Sequence, residues 1–239
     1  MTVDMTYQHA FPRHKKVPVI NGCGQGCVHM VIDHFEQTSI STDELNAVCG
    51  VKNEGAFSST LDIANGMASR GYDVIRISDI PSAELQAEPL KFMRAVGFDP
   101  GEDSPLLDDR RASAAIFQQN VKAGQIIEHE RAPEVQDIQE LINDGYALIS
   151  WVNSSGLAGN FNVTSGHYVV AITLENDYVV YHDPGAISEK YGERYGAGLK
   201  AHIPFFDKAM RYPKSCGVNK HTGEARKMGL LAFRPSSHP

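Results

Sequence analysis

Cys23 lies in Asn21-Gly22-Cys23-Gly24, directly after a turn signal and at the start of a helical pattern. The first turn of a helix has unpaired N–H groups and a positive dipole end, and both favour a thiolate over a thiol. Gly22 and Gly24 leave room for a substrate backbone beside the sulfur. A cysteine nucleophile also needs a base, and histidine suits the task because its pKa lies near neutrality. His167 follows Gly166 and opens an apolar run, Tyr168-Val169-Val170-Ala171-Ile172. The next run, Tyr178-Val179-Val180-Tyr181, ends at His182-Asp183-Pro184-Gly185. A hairpin turning near Asn176 sets residues 167 and 183 close to opposite each other, where Asp183 can accept from the imidazole and orient it. Each feature alone has an ordinary structural explanation: a core cysteine, a strand histidine, an Asp-Pro-Gly turn. Their joint arrangement is what points to nucleophilic catalysis.

Other readings of the same residues are weaker. Cys27, one turn further into the helix, is the rival nucleophile. Cys23, Cys27, His29 and His34 are close in sequence, and Cys23 and Cys27 share a helix face. Structural zinc, however, uses two ligand pairs, and the second is missing. Gly22-x-Gly24-x-Gly26 lacks the preceding context and the later acidic residue of a dinucleotide site. Neither a metal nor a cofactor is expected.

The elements that must position these residues are legible from periodicity. Val28, Val31, Ile32 and Phe35 form the buried stripe of a helix running from Cys23 to about Phe35. It follows an extended stretch, Val17-Pro18-Val19-Ile20. Thr42-Asp43-Glu44 starts a short helix stopping at Gly50, and Ser58-Ser59-Thr60 opens another ending near Gly71. Asp73 to Ile77 reads as a strand. Residues 80–132 look mostly helical and polar, with helices near Ser82 and from Ala112 to Val121, and read as an insertion or lid. Pro133 to Asp144 is a helix closed by Gly145. Ala147 to Val152, His167 to Leu174, Tyr178 to His182 and Met228 to Arg234 read as strands. Helices first and strands later predict an α+β fold in a single domain, 1–239.

Cys23-Gly24-Gln25-Gly26-Cys27-Val28-His29-Met30-Val31 resembles the nucleophile helix of papain-like peptidases that process double-glycine leaders, the bacteriocin-processing type. Gly166-His167-Tyr168-Val169-Val170, with Tyr178 to Pro184, looks like that family's His and Asp strands, and the step of 16 residues from His167 to Asp183 is typical of it. The resemblance covers roughly 17–75 and 133–185. It implies a papain-like cysteine peptidase fold, with the nucleophile helix packed on an antiparallel sheet that carries His and Asp. It also implies a catalytic triad of Cys23, His167 and Asp183. The family usually places a Gln about six residues before the nucleophile to bind the oxyanion. Here that position is Val17, so Asn21, Gln25 or the Cys23 N–H must substitute. The expected function is a cysteine-dependent hydrolase or acyltransferase acting on an amide or thioester carbonyl of a peptide or acyl substrate. The alternative is a papain-like protein that binds a peptide or partner without turnover.

Composition limits the partners. The formal net charge is -7, and the densest basic run, Arg13-His14-Lys15-Lys16, is short, which argues against nucleic acid. No apolar run is long enough to span a membrane, and no secretory leader is recognisable at the N-terminus. Four cysteines without an export signal read as thiols in a cytoplasmic protein. With 42% hydrophobic residues, the chain can bury a sizeable core without disulfides.

Overall fold

The computed structural model describes residues 22–52, 58–95, 97–162, 165–185 and 196–236. The fold is α+β. It opens with helices α1 (Cys23–Glu36), α2 (Thr42–Val48) and α3 (Thr60–Ser69), then strand β1 (Tyr72–Ile77). Next come α4 (Ser82–Ala87), α5 (Pro89–Ala95), α6 (Pro105–Lys122) and β2 (Ile126–His129). The remainder runs α7 (Val135–Asn143), β3 (Ala147–Asn153), α8 (Ser154–Leu157), β4 (Gly166–Glu175), β5 (Tyr178–Asp183), β6 (Gly196–His202), α9 (Ile203–Ala209) and β7 (Gly229–Pro235).

The strands form one sheet in the order β2-β1-β7-β3-β4-β5-β6. The sequence reading expects an antiparallel sheet, and every pair is antiparallel except β1 with β2, where Val74 to Ile77 run parallel to Ile126 to His129. The sheet is therefore mixed. Strand β2 escapes the sequence reading because it is only four residues long, with a single buried position. It joins residues 80–132 to the main sheet, and α4, α5 and α6 lie in the same region.

Both faces of the sheet are covered. On one face, Cys27, Val28, Val31 and Ile32 of α1 pack with α3 and α6 against Ile149, Trp151, Tyr168 and Val170. On the other, Val135 and Ile138 of α7 and Phe206 of α9 pack against Leu148, Val152, Val169 and Ala171. Successive strand residues thus go to opposite layers. Being buried on both sides, β3 reads as a mostly apolar run, interrupted only by Ser150 up to Val152, rather than an alternating one.

Local chemistry fixes the elements around the site. Helices α2 and α3 start with reciprocal capping boxes, Ser41 with Glu44 and Ser59 with Asp62. Strands β4 and β5 are joined through Asn176, whose φ of 53° is the left-handed conformation a tight hairpin requires.

Candidate active site

Cys23 is the first residue of α1 and is partly buried. Gly22 caps the helix without a side chain, and the first helical backbone bond runs from the Gly26 N–H to the Gly22 carbonyl, 2.9 Å. The N–H groups of Cys23, Gly24 and Gln25 therefore have no carbonyl partner within the helix and remain at the sulfur's end. His167, near the start of β4, hydrogen-bonds the Cys23 side chain. Its Nε2 lies 2.7 Å from Asp183 Oδ1 at the end of β5. With Nε2 held by the carboxylate, Nδ1 is the nitrogen left for the sulfur. Val170 pairs with His182, so His167 and Asp183 meet diagonally on one face of the hairpin rather than directly opposite. Asp183 is 4% exposed, and its Oδ1 also accepts the Gly185 N–H at 2.7 Å. The structure brings Cys23, His167 and Asp183 together as the sequence spacing suggests.

The electrostatics polarise the pair. Burial alone would raise the Cys23 thiol pKa. Hydrogen bonding and charge from His167, with the backbone N–H groups of Tyr168 and Gly24, outweigh it and hold the thiol below its ordinary value of 9.0. Burial would likewise depress His167, but the Asp183 carboxylate and the Cys23 sulfur raise its pKa to about 10. Both shifts act in the direction of a thiolate beside an imidazolium.

The rival thiols are placed differently. Cys27 is fully buried in the core, and burial pushes its pKa well above 9.0. Burial raises Cys49 to about 12 and Cys216 to about 11. Among the described residues, no three His, Cys, Asp or Glu side chains are grouped to hold a metal ion. Of the oxyanion candidates, Asn21 lies outside the described residues. Gln25 is buried; its amide donates to Asn46 Oδ1 at 3.5 Å and accepts from Ser58 Oγ at 3.4 Å.

Two glycines serve packing. A Cβ at Gly24 would fall 3.0 Å from Ser58 Cβ and Oγ, so this glycine lets α1 close on the Ser58 segment. A Cβ at Gly26 would fall 2.5 Å from Pro184 Cβ. Glycine at 26 is thus what lets the Asp183-Pro184 end of β5 reach α1. The sequence reading credits Gly22 and Gly24 with substrate access and assigns Gly26 no role. Its spacing from Cys23 carries no signal of a contact formed by residues far along the chain.

A cavity of about 150 Å³ opens beside Cys23. Leu61, Ile80, Leu85, Phe92, Trp151 and Tyr212 contribute apolar and aromatic wall. The Tyr212 ring stacks on Trp151 at 5.4 Å between centroids and meets Phe92 edge-on at 6.0 Å. Arg76 and Arg110 also line the cavity. Arg76 is 1% exposed; it pairs with Glu128, donates to the Ile80 carbonyl at 2.8 Å and lies over the Phe117 ring. Its Nε is buried without a hydrogen-bond partner. Arg110 pairs with Asp62. A signal for Arg76 does exist in the sequence: Tyr72, Val74 and Arg76 alternate along β1 in the buried register.

The chain matches no protein-family model, and no curated protein is significantly similar to it. No helix among the described residues is long and apolar enough to cross a membrane.

Proposed function

We propose that the protein is a papain-like cysteine-dependent hydrolase or acyltransferase that acts on an amide or thioester carbonyl. One observation carries this reading. A partly buried cysteine at a helix start without a side-chain cap hydrogen-bonds a histidine whose far nitrogen is fixed by a buried aspartate at 2.7 Å. That is the order of nucleophile, base and orienting group that acyl transfer requires.

In this reading the Cys23 sulfur adds to the carbonyl carbon while His167 carries the thiol proton. His167 then delivers that proton to the leaving group as the carbon–heteroatom bond breaks, leaving a thioester on Cys23. Water or an amine, deprotonated by His167, attacks the thioester and releases the sulfur. Asp183 keeps the imidazole oriented and stabilises its cationic form. The N–H groups at the start of α1 face the developing oxyanion, with Asn21 or Gln25 as the side-chain donor. The engagement of the Gln25 amide with Asn46 and Ser58 favours the alternative reading, in which a papain-like protein binds a peptide or partner without turnover.

Intact-mass analysis after addition of an activated acyl ester separates the two. The expected result is a single acyl adduct that maps to Cys23 and vanishes in Cys23→Ala. An adduct that survives Cys23→Ala, or no adduct on the native protein, overturns the catalytic reading.

A further inference from the structure

The cavity beside Cys23 has a chemistry that selects among acyl groups. At about 150 Å³ it has the volume of an apolar cavity known to admit one benzene ring. Its walls are predominantly aliphatic and aromatic. The two cations that line it are each matched by a carboxylate, Arg76 by Glu128 and Arg110 by Asp62, so the cavity adds no net charge. The Arg76 Nε–H is a buried donor without an acceptor, an unfavourable state for as long as it stays unsatisfied. A ligand that brings a neutral acceptor oxygen relieves it. A ligand that brings a carboxylate buries an unmatched negative charge.

The orientation of the substrate follows from the histidine. The leaving group must reach His167 to take its proton, and among the described residues His167 is not part of the cavity wall, whereas Cys23 is. The group entering the cavity is therefore the one that stays on the sulfur.

We infer that the cavity is the acyl-group pocket of Cys23, and that it selects a carbonyl compound whose acyl part is one neutral ring-sized apolar group bearing a hydrogen-bond acceptor for Arg76. This rests on the catalytic reading proposed above. In the acylation step the Cys23 S–C bond forms, the bond from carbonyl carbon to leaving group breaks, and the leaving group departs with the proton held by His167. Water then cleaves the thioester to a carboxylic acid and the free thiol.

The test uses the full chain and four p-nitrophenyl esters: acetate, benzoate, 4-methoxybenzoate and the monoester of terephthalic acid. Nitrophenolate release and the mass of the acyl-Cys23 adduct are followed, with each rate divided by that of the same ester with N-acetylcysteine. The expected order is 4-methoxybenzoyl, then benzoyl, then acetyl. Benzoyl should exceed acetyl by about tenfold, and the methoxy group should add a further severalfold. The carboxylated ester should be slowest of the aromatic three. Leu85→Trp, which fills the cavity, should abolish the benzoyl preference. Arg76→Met should remove the methoxy advantage, and a thermal melt shows whether that variant is folded. The ester series on the unmutated protein decides the matter without either variant. Equal normalised rates for acetyl and aromatic esters, with Cys23 still acylated, overturn the pocket and leave the catalytic reading standing. A fastest terephthaloyl ester overturns the neutral-acceptor assignment. Absence of any Cys23 adduct, acetyl included, fails the catalytic reading and the pocket with it.

Discussion

Cys23 and Cys27 are one turn apart on α1, yet their surroundings push the two thiols in opposite directions. Both meet a desolvation cost that favours the neutral form. At Cys23 that cost is outweighed by His167 and by backbone N–H groups at the helix start. At Cys27 nothing comparable offsets it; the second turn's N–H groups already bond within the helix, and the charges of Cys23, Asp183 and Cys49 act in the same sense as burial. The comparison separates what a helix start contributes from what a tertiary partner contributes. The start offers a setting that favours an anion, and the β4–β5 hairpin brings the cation that makes the anion persist.

Four substitutions break or sharpen this contrast. His167→Ala should remove most of the difference: alkylation of Cys23 near neutral pH should fall about a hundredfold or more, which a time course of iodoacetamide labelling with peptide mapping measures. The rising limb of that reaction should also move to higher pH, because the thiolate loses the cation that lowers its pKa. Asp183→Asn keeps the shape but removes the charge that raises His167. The imidazole should titrate at least about one pH unit lower, a change of roughly 1.4 kcal/mol, visible by NMR of the histidine ring. Gly26→Ala tests the reach of the hairpin. Overpacking against Pro184 should cost about 1–3 kcal/mol in stability, read by chemical denaturation, and should slow Cys23 alkylation by shifting Asp183. Cys27→Ala should have the smallest effect, about 1 kcal/mol of packing and no change in Cys23 labelling.

Much of this site is legible in the sequence, and the reasons for the exceptions are physical. Cys23, His167 and Asp183 lie at element boundaries marked by Asn21-Gly22, Gly166 and Asp183-Pro184-Gly185, and boundaries are where local chemistry speaks most clearly. The five strands of the reading recur as β1, β3, β4, β5 and β7, each within one residue at either end. What escapes are features made by contacts distant in sequence. Strand β2 is too short for a period to register, and β6, with five glycine, alanine or histidine positions among seven, lacks a strand's apolar pattern. Gly26 matters only because Pro184 comes to it. Tyr212, after α9, stacks on Trp151 of β3, a pairing no spacing could foretell. Arg76 is the instructive case: its register in β1 marks it as buried, but the unpaired Nε–H depends on Glu128 and Ile80 taking the other donors.

The central claim is that His167, held cationic beside Cys23, favours its thiolate over its thiol. Thiolate ultraviolet absorbance followed from acid to alkaline pH, alongside site-resolved iodoacetamide labelling of all four cysteines, tests it directly. The account expects one thiolate to form below pH 9, assigned to Cys23 by labelling and lost in Cys23→Ala, while Cys216 reacts only as the pH approaches about 11. If Cys23 instead titrates at or above 9 and labels no faster than Cys216 near neutrality, the account is contradicted.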